Sequence, residues 1–417
     1  MKASRQVITD LHTSLSETAR SNLDLAIRKI VEVKRRNGSV VVVTGSGPNL
    51  HEGVTTLIAE LIHKGIVDGV ITSSAVVAHE MAGTLDRVKR IWVQEGEDFG
   101  IPPALLPRGK VFEITELSAS QCTELRAEFS TGWDLFDRLQ GRPSDTIIKA
   151  AGNMAWPMGW RTERLAREAQ EVAKQLGTTV EHVAGLGADS KTMIGAAAKC
   201  GVPVLVSIPQ LVGGGAVGLA IGDAITLSRR ARLVADLLDR ADVIVESAIA
   251  LSQEIHDGPF ETYTGHGIWA AWDLLPTYSL ENKTLVRIDL DSNLEAAWKC
   301  ERQGSEVQKV VNQGLPKTKQ TGIPFRMEMS GFARLEGSIP VTADAGAAWP
   351  IIAYALEEQL GVKLDFVSAP QETADGKRSR EWIVENVAYV DRRRMYEEAR
   401  RMTLRVGRMD LQRGTHA

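Results

Sequence analysis

Two histidine–glutamate pairs, His51-Glu52 and His79-Glu80, each stand a few residues beyond a β-branched run and a small-residue turn. Imidazole and carboxylate groups move protons near neutral pH. Neither pair has the H-E-x-x-H spacing that sets two imidazoles on one helix face, so no zinc protease site and no metal is predicted. A second ionisable group, His256, Asp257, Glu261, Tyr263 and His266, fills the loop after the run DVIVE at 242–246. That loop reads equally as an acid–base loop beyond a strand end and as an ordinary polar loop. Lys191 follows Asp189-Ser190 at a helix start. Either preceding residue can be an N-cap, and Lys191 is a candidate for imine formation or carboxylate binding. The candidate catalytic set is therefore His79, Glu80, His256, His266, Lys191 and Asp257.

The elements that position these groups centre on residues 39–80, SVVVVTGSGPNLHEGVTTLIAELIHKGIVDGVITSSAVVAHE. Residues 40–43 are four valines, as in a strand buried on both faces. Thr44-Gly45-Ser46-Gly47 follows, and then Val54, Leu57, Ile58, Leu61 and Ile62 recur with helical spacing. Gly65 stops that helix, 67–71 is the next strand, and Thr72-Ser73-Ser74-Ala75 is its exit turn: one βαβ unit. Ligands of open parallel sheets sit at the carboxyl ends of strands, where both turns lie. The first turn lacks the Gly-Lys-Ser/Thr of a phosphate-clasping loop, and position 50 is Leu, so it is not a full G-x-G-x-x-G. It reads either as a cofactor turn or as a simple strand-to-helix corner. Two further strand ends add to the cofactor reading. Asp289 closes LVRIDL, where a carboxylate can accept ribose hydroxyls, and Asp344-Ala345-Gly346 closes IPVTA ahead of a helix. The strand PVLVSI leaves through a glycine loop that contains Gly213 and Gly214.

Strands alternating with helices predict a doubly wound, mostly parallel α/β sheet. Residues 1–38 read as a helical arm and 39–365 as the α/β core, with a helical and loop insertion around 117–180; residues 366–417 read as a second helical arm. Within the insertion, 152–160 (GNMAWPMGW) cannot be a regular helix. A packed corner with aromatic anchors is the preferred reading, a binding loop the other. The chain has 417 residues, 43% hydrophobic and 24% charged, with net charge −4, so neither nucleic acid nor an anionic membrane is an expected partner. The residues 211–222 are too few and too glycine-rich to span a bilayer, and no signal-peptide core opens the chain. Cys122, Cys200 and Cys300 are far apart, which suits a reducing compartment; a cytoplasmic enzyme is expected.

Taken in order, VVVTGSGPNLHEG, VDGVITSSAVVAHE, ADSKTMIGAAAKCGVPVLVSIPQ, VRIDLDSNLE and VTADAGAAWPIIAYAL resemble the turns of the deoxyhypusine synthase-like superfamily. The nearest likeness is to its NAD-dependent ornithine cyclodeaminase branch, related to the lysine-ketoglutarate reductase/saccharopine dehydrogenase region. The resemblance covers about 39–82 and 185–360. It implies a Rossmann-like sheet and bound NAD, contacted by Thr44, Gly45, Ser46, Gly47, Asn49, Ser73, Ser74, Ala75, Gly213, Gly214, Asp289, Asp344 and Ala345. It also implies a homo-oligomer, a tetramer. The stretch comparable to the imine-forming lysine of deoxyhypusine synthase reads GHGIWAAWDL, without lysine, and Ala197 stands where the cyclodeaminase branch carries cysteine, with Cys200 one turn later. The expected function is redox-neutral use of NAD on a small amine or amino acid, of lyase or cyclodeaminase type. The alternatives are an aminoalkyl transferase of deoxyhypusine or homospermidine type, a dehydrogenase releasing NADH, and a non-catalytic NAD-binding scaffold or sensor.

Overall fold

The computed structural model describes residues 1–94 and 111–248, apart from Ser46, Thr131, Asn153, Met154, Val212 and Gly213, then 282–290, 337–413 and a few isolated positions. Five candidate residues, Ser46, Gly213, His256, Asp257 and His266, lie outside the described residues.

The chain opens with helices α1 (Arg5–Ser14) and α2 (Glu17–Arg35), each begun by a serine N-cap. Strand β1 (Val40–Thr44), the short α3 (Pro48–His51), α4 (Val54–His63), β2 (Gly69–Thr72) and α5 (Ser74–Met81) follow. An insertion then supplies β3 (Leu85–Trp92), β4 (Val111–Thr115), α6 (Ala119–Glu128), α7 (Trp133–Gln140) and β5 (Asp145–Ala150). Helices α8 (Met158–Leu176), α9 (Val180–Gly187) and α10 (Met193–Cys200) lead back to β6 (Val204–Val206). After it come α11 (Gly215–Ala224), α12 (Leu227–Arg240), β7 (Val243–Ser247), β8 (Thr284–Asp289) and β9 (Ser338–Thr342). The helices α13 (Ala345–Leu360), α14 (Ala374–Asn386) and α15 (Arg392–Arg413) close the chain. No described helix is long and apolar enough to cross a membrane.

Six strands form one parallel sheet in the order β6-β2-β1-β7-β8-β9. Counted by their turn along the chain, these strands lie 3-2-1-4-5-6, the doubly wound order. The reversal falls between β1 and β7, which pair from Val40↔Val243 to Thr44↔Ser247. Every residue of β1, β2 and β7 is buried, because helices cover the sheet. Val40 and Val42 of β1 and Val243 and Val245 of β7 pack with Leu23, Ile27 and Ile30 of α2, Leu57 and Leu61 of α4 and Ile352 of α13 in one core. Residues 1–38 thus contribute α2 to the same core as the sheet.

The insertion holds a smaller antiparallel sheet, β4-β3-β5, over a second core of Ile91, Ile114, Leu125, Phe129, Phe136 and Met158. Expected as mostly helical, the segment 117–180 also contains β5. Its outer residues are exposed and β3 buries only every third residue, so neither strand shows the period-2 pattern that announces a half-buried strand. The described residues of the corner at 152–160 are packed: Trp156 lies 5.7 Å from Phe136, donates its N–H to Glu113 O at 3.0 Å and accepts from Thr115 N at 2.9 Å, and Trp160 lies 4.9 Å from Phe129.

One buried ion pair fixes the edge of the large sheet. Arg230 of α12 and Glu181 of α9 are both almost fully buried and 2.6 Å apart. Glu181 accepts from Val206 N at 2.9 Å, and Arg230 donates to Val206 O at 2.9 Å and Ile221 O at 2.8 Å. Each charge is held by hydrogen bonds as well as by its partner, which burial of a pair requires.

Candidate active site at the carboxyl edge of the sheet

The strand order reverses between β1 and β7, and doubly wound sheets bind ligands beyond the carboxyl ends of the strands at such a point, where the glycine turn after β1 lies. Gly47 has φ +67°, open to glycine at little cost, and a Cβ built there would meet nothing within 4 Å. The turn therefore leaves room for a ligand to approach the backbone closely. One staple holds it in place. Asn49, fully buried, donates from Nδ2 to Gly45 O at 3.1 Å and Ser247 O at 3.0 Å, and its Oδ1 accepts from Ser247 Oγ at 2.5 Å. Ser247 Oγ in turn accepts from Trp349 Nε1 at 2.7 Å. The side chain of Asn49 thus ties the β1 turn to the end of β7, across the reversal itself.

The other strand ends are similarly small. Thr72 Oγ1 donates to Thr44 O at 3.0 Å, and Ser73 caps α5 by accepting from Val76 N at 3.3 Å. Ser74 Oγ points at Gln210 O, 3.4 Å away, and a Cβ on Gly214 would come within 2.3 Å of that Oγ. The loop after β6 therefore lies directly on the β2 turn, which is why position 214 has no side chain. Thr44, Ser73 and Ser74 spend their hydroxyls on neighbouring backbone, so a cofactor lying here would meet mainly main-chain groups. At the outer strand ends, the buried hydroxyls of Ser207 and Thr342 have no hydrogen-bond partner among the described residues. These features suit an extended polar ligand laid along the carboxyl edge.

On the far side of the β1 turn the structure gathers ionisable groups from five elements. His79 of α5 is 6% exposed, and its Nδ1 lies 2.7 Å from Ala151 O. A carbonyl only accepts, so Nδ1 carries the proton and Nε2 presents a lone pair, with no partner among the described residues. Burial lowers the His79 pKa to about 4 against that hydrogen bond, with help from His51 and Lys149 nearby. His51 is itself lowered by burial and by Arg380 and Lys149. Next to it, Glu52 is 5% exposed and accepts from Gln371 N at 2.6 Å. Burial raises the Glu52 pKa to about 7; Asp344 and Glu372 add to this, opposed by the Gln371 N–H and Arg380. Asp344 caps α13, accepting from Gly346 N at 2.7 Å, and burial raises its pKa with Glu372 against that bond. The site thus joins a neutral imidazole able to accept a hydrogen bond, a carboxyl poised near neutrality and two cationic side chains.

Among the sequence candidates, His79 and Asp344 meet here through His51 and Glu52. Glu80 does not share their task. It is fully buried, and its two oxygens accept from Met193 N at 2.8 Å and Ile194 N at 3.0 Å, so it caps α10. Lys191 lines a cleft of about 330 Å³ with His63 and Trp382, its Nζ 3.4 Å from Asp189. His63 ends α4, roughly 15 Å along that helix from its start at Val54 at 1.5 Å per residue, so Lys191 lies at the opposite end of α4 from His51 and Glu52. Asp289 ends β8 on the same face as Glu246 and Arg287, which lie 3.5 Å apart on neighbouring strands. Ala345 opens α13, buried beneath Asp344.

Arg380 and Lys149 were not legible as site residues, and Glu52, noted with His51, was left out of the candidate set. Glu52 carried one signal, its place eight residues past the β1 strand beside His51. Arg380 comes from α14, more than three hundred residues later in the chain, and donates to Ile148 O on β5. Lys149 sits on a strand that the sequence pattern conceals, paired with Glu113 at 2.7 Å.

No protein-family model and no curated protein matches the chain. Several solved structures align with the chain at low similarity. A protein of Methanococcus maripaludis S2, provisionally described as LOR/SDH, aligns at 11% identity over 87% of this chain and 74% of its own, with TM-score 0.39. AgrE, in its ternary complex with ornithine and NAD+, aligns at 13% identity over 86% of this chain with TM-score 0.37. ArgZ, an arginine dihydrolase from the ornithine–ammonia cycle in cyanobacteria, aligns at 12% identity over 81% of this chain with TM-score 0.35. The chain spans about a third of the length of AgrE and of ArgZ, 34% and 32%. Similarity at this level carries no inference about ligand or reaction, and none of these three names belongs to the deoxyhypusine synthase side of the resemblance.

Proposed function

We propose that this chain is an NAD-dependent enzyme acting on a small amine or amino acid. The observation that carries the cofactor is the 3-2-1-4-5-6 parallel order with an open glycine turn at its reversal, the place where doubly wound sheets take dinucleotides. NAD, when bound, supplies a hydride acceptor and, reduced, a hydride donor. The backbone at Gly45, Gly47, Ser73, Ser74 and Ala75 would lie along it, with Asp289 and Asp344 at neighbouring strand ends. The ionisable cluster supports the substrate class. Glu52, Asp344 and Glu372 suit an ammonium group, and Arg380 and Lys149 a carboxylate. His79, held neutral in one tautomer by burial and by Ala151 O, presents Nε2 as a hydrogen-bond acceptor that orients the amine being oxidised.

The reaction type we favour is redox-neutral, of lyase or cyclodeaminase type, in a homotetramer. The test is turnover of ornithine and arginine with NAD+, followed by amine release and by absorbance of the reduced nicotinamide. Amine release without accumulation of NADH is the expected result. Stoichiometric NADH would make the protein a dehydrogenase, and NAD binding without turnover of either compound would leave it a scaffold. Sedimentation velocity reads the tetramer separately.

A further inference from the structure

At the far end of α4 from His51 and Glu52, the last residues of two helices meet. His63 ends α4 and Cys200 ends α10. Gly201, with φ +71°, turns the chain away from α10, and Cys200 is left exposed with a free thiol. Its Sγ lies 3.4 Å from His63 Nδ1, and His63 Nε2 lies 2.6 Å from Ser190 O. A carbonyl only accepts, so the ring proton sits on Nε2 and Nδ1 accepts from the thiol.

Ser190 O is held in a pinned turn. Asp189 accepts at Oδ1 from Lys191 N at 2.9 Å and at Oδ2 from Ala388 N at 3.1 Å, and its carbonyl accepts from Thr192 N at 3.0 Å. The parts of an activated nucleophile are therefore assembled: a thiol, a base within its reach and a group that orients the base. The carbonyl end of α4 favours an imidazolium at His63, whereas that of α10 opposes a thiolate at Cys200, so the thiol depends on the imidazole to lose its proton. His63 and Lys199 line, with Lys191, Phe366 and Trp382, a cleft of about 330 Å³. Small-molecule clefts run from roughly 300 to 1,000 Å³, so there is room beside the thiol for a small reactant.

We propose that Cys200 and His63 form a reactive thiol pair that exchanges with low-molecular-weight disulfides, keeping one half as a mixed disulfide at the edge of this cleft. His63 Nδ1 takes the thiol proton. Sγ attacks one sulfur of the incoming disulfide, and the Sγ–S bond forms as the S–S bond breaks. The departing thiolate takes the proton from His63 and leaves as a thiol. Cys200 is oxidised and the departing half reduced, with no other co-reactant. The pair shares no residue with the ionisable cluster at the sheet edge and stands whether or not NAD binds there.

The test treats the whole chain with oxidised glutathione near pH 7, quenches with acid and maps the adducts by mass spectrometry. Cys200 is expected to carry the adduct first, with the partly buried Cys122 as internal standard. Because an unassisted thiol is only a few per cent ionised at pH 7, His63→Gln is expected to slow the reaction at Cys200 about tenfold. The rate at Cys122 is expected to stay unchanged, and free imidazole to restore part of the rate at Cys200. No adduct at Cys200, or equal rates there in wild type and His63→Gln, would overturn the proposal. So would a loss in His63→Gln that imidazole does not restore, since that is a structural effect of the ring.

Discussion

Replacing Asn49 with alanine tests whether the staple across the strand reversal holds the site. The substitution removes two donors and one acceptor at a fully buried position. Gly45 O keeps a bond from Thr44 Oγ1 at 3.2 Å, and Ser247 Oγ keeps the indole of Trp349. What is stranded is the Asn49-facing lone pair of Ser247 O and the hydroxyl hydrogen of Ser247. Each unmet buried group costs about 1–3 kcal/mol, so Asn49→Ala is expected to lose about 2–5 kcal/mol of stability. Urea unfolding with an unchanged m-value is the assay. Ser247→Ala strands Trp349 Nε1 and Asn49 Oδ1, so the double variant should cost less than the two singles together, with a coupling of about 1–2 kcal/mol. A loss below about 0.5 kcal/mol, or strictly additive costs, would show that the staple does not hold the turn and refute the reasoning.

Four other outcomes follow from the same geometry. Burial raises the Glu80 pKa to about 7 against two backbone N–H groups, so its contribution to stability is complete below the unfolded value of 4.5 and is lost as pH rises through 7. Between pH 5 and 7, Glu80→Gln should therefore show a shallower fall in stability than wild type, by up to about 1.4 kcal/mol per pH unit in urea titrations. Arg230→Met leaves Glu181 buried without its partner and should cost about 3–5 kcal/mol by thermal unfolding, partly recovered by adding Glu181→Gln. Lys191→Ala should leave turnover unchanged, because Lys191 lines a cleft at the far end of α4, whereas His79→Gln should reduce turnover about a hundredfold or more with NAD binding intact.

The parallel sheet was legible because its central strands are uninterrupted valine and isoleucine runs ended by glycine or serine, a pattern that burial on both faces imposes locally. Even so, the order of the strands, on which the cofactor reading depends, is set by tertiary packing and carried no local mark. The site was half legible. His79 and Asp344 follow strand ends and could be picked out. Glu80, an identical-looking neighbour of His79, points the other way on α5 and caps a helix, and only the packing of α10 against α5 reveals this. Asn49 was legible as part of a cofactor turn, while its side-chain partner Ser247 lies nearly two hundred residues away.

The central claim is that a dinucleotide binds beyond the strand ends at the β1–β7 reversal. Calorimetric titration of NAD+ into nucleotide-free protein, beside the Gly47→Val variant, tests it most directly. A Cβ at Gly47 meets no atom within 4 Å, so the valine side chain projects from the turn at a backbone strain of about 1–3 kcal/mol. Saturable binding to wild type at one NAD+ per chain, and its loss in Gly47→Val, is the expected result. Absence of binding to wild type, or equal binding to both proteins, would contradict it.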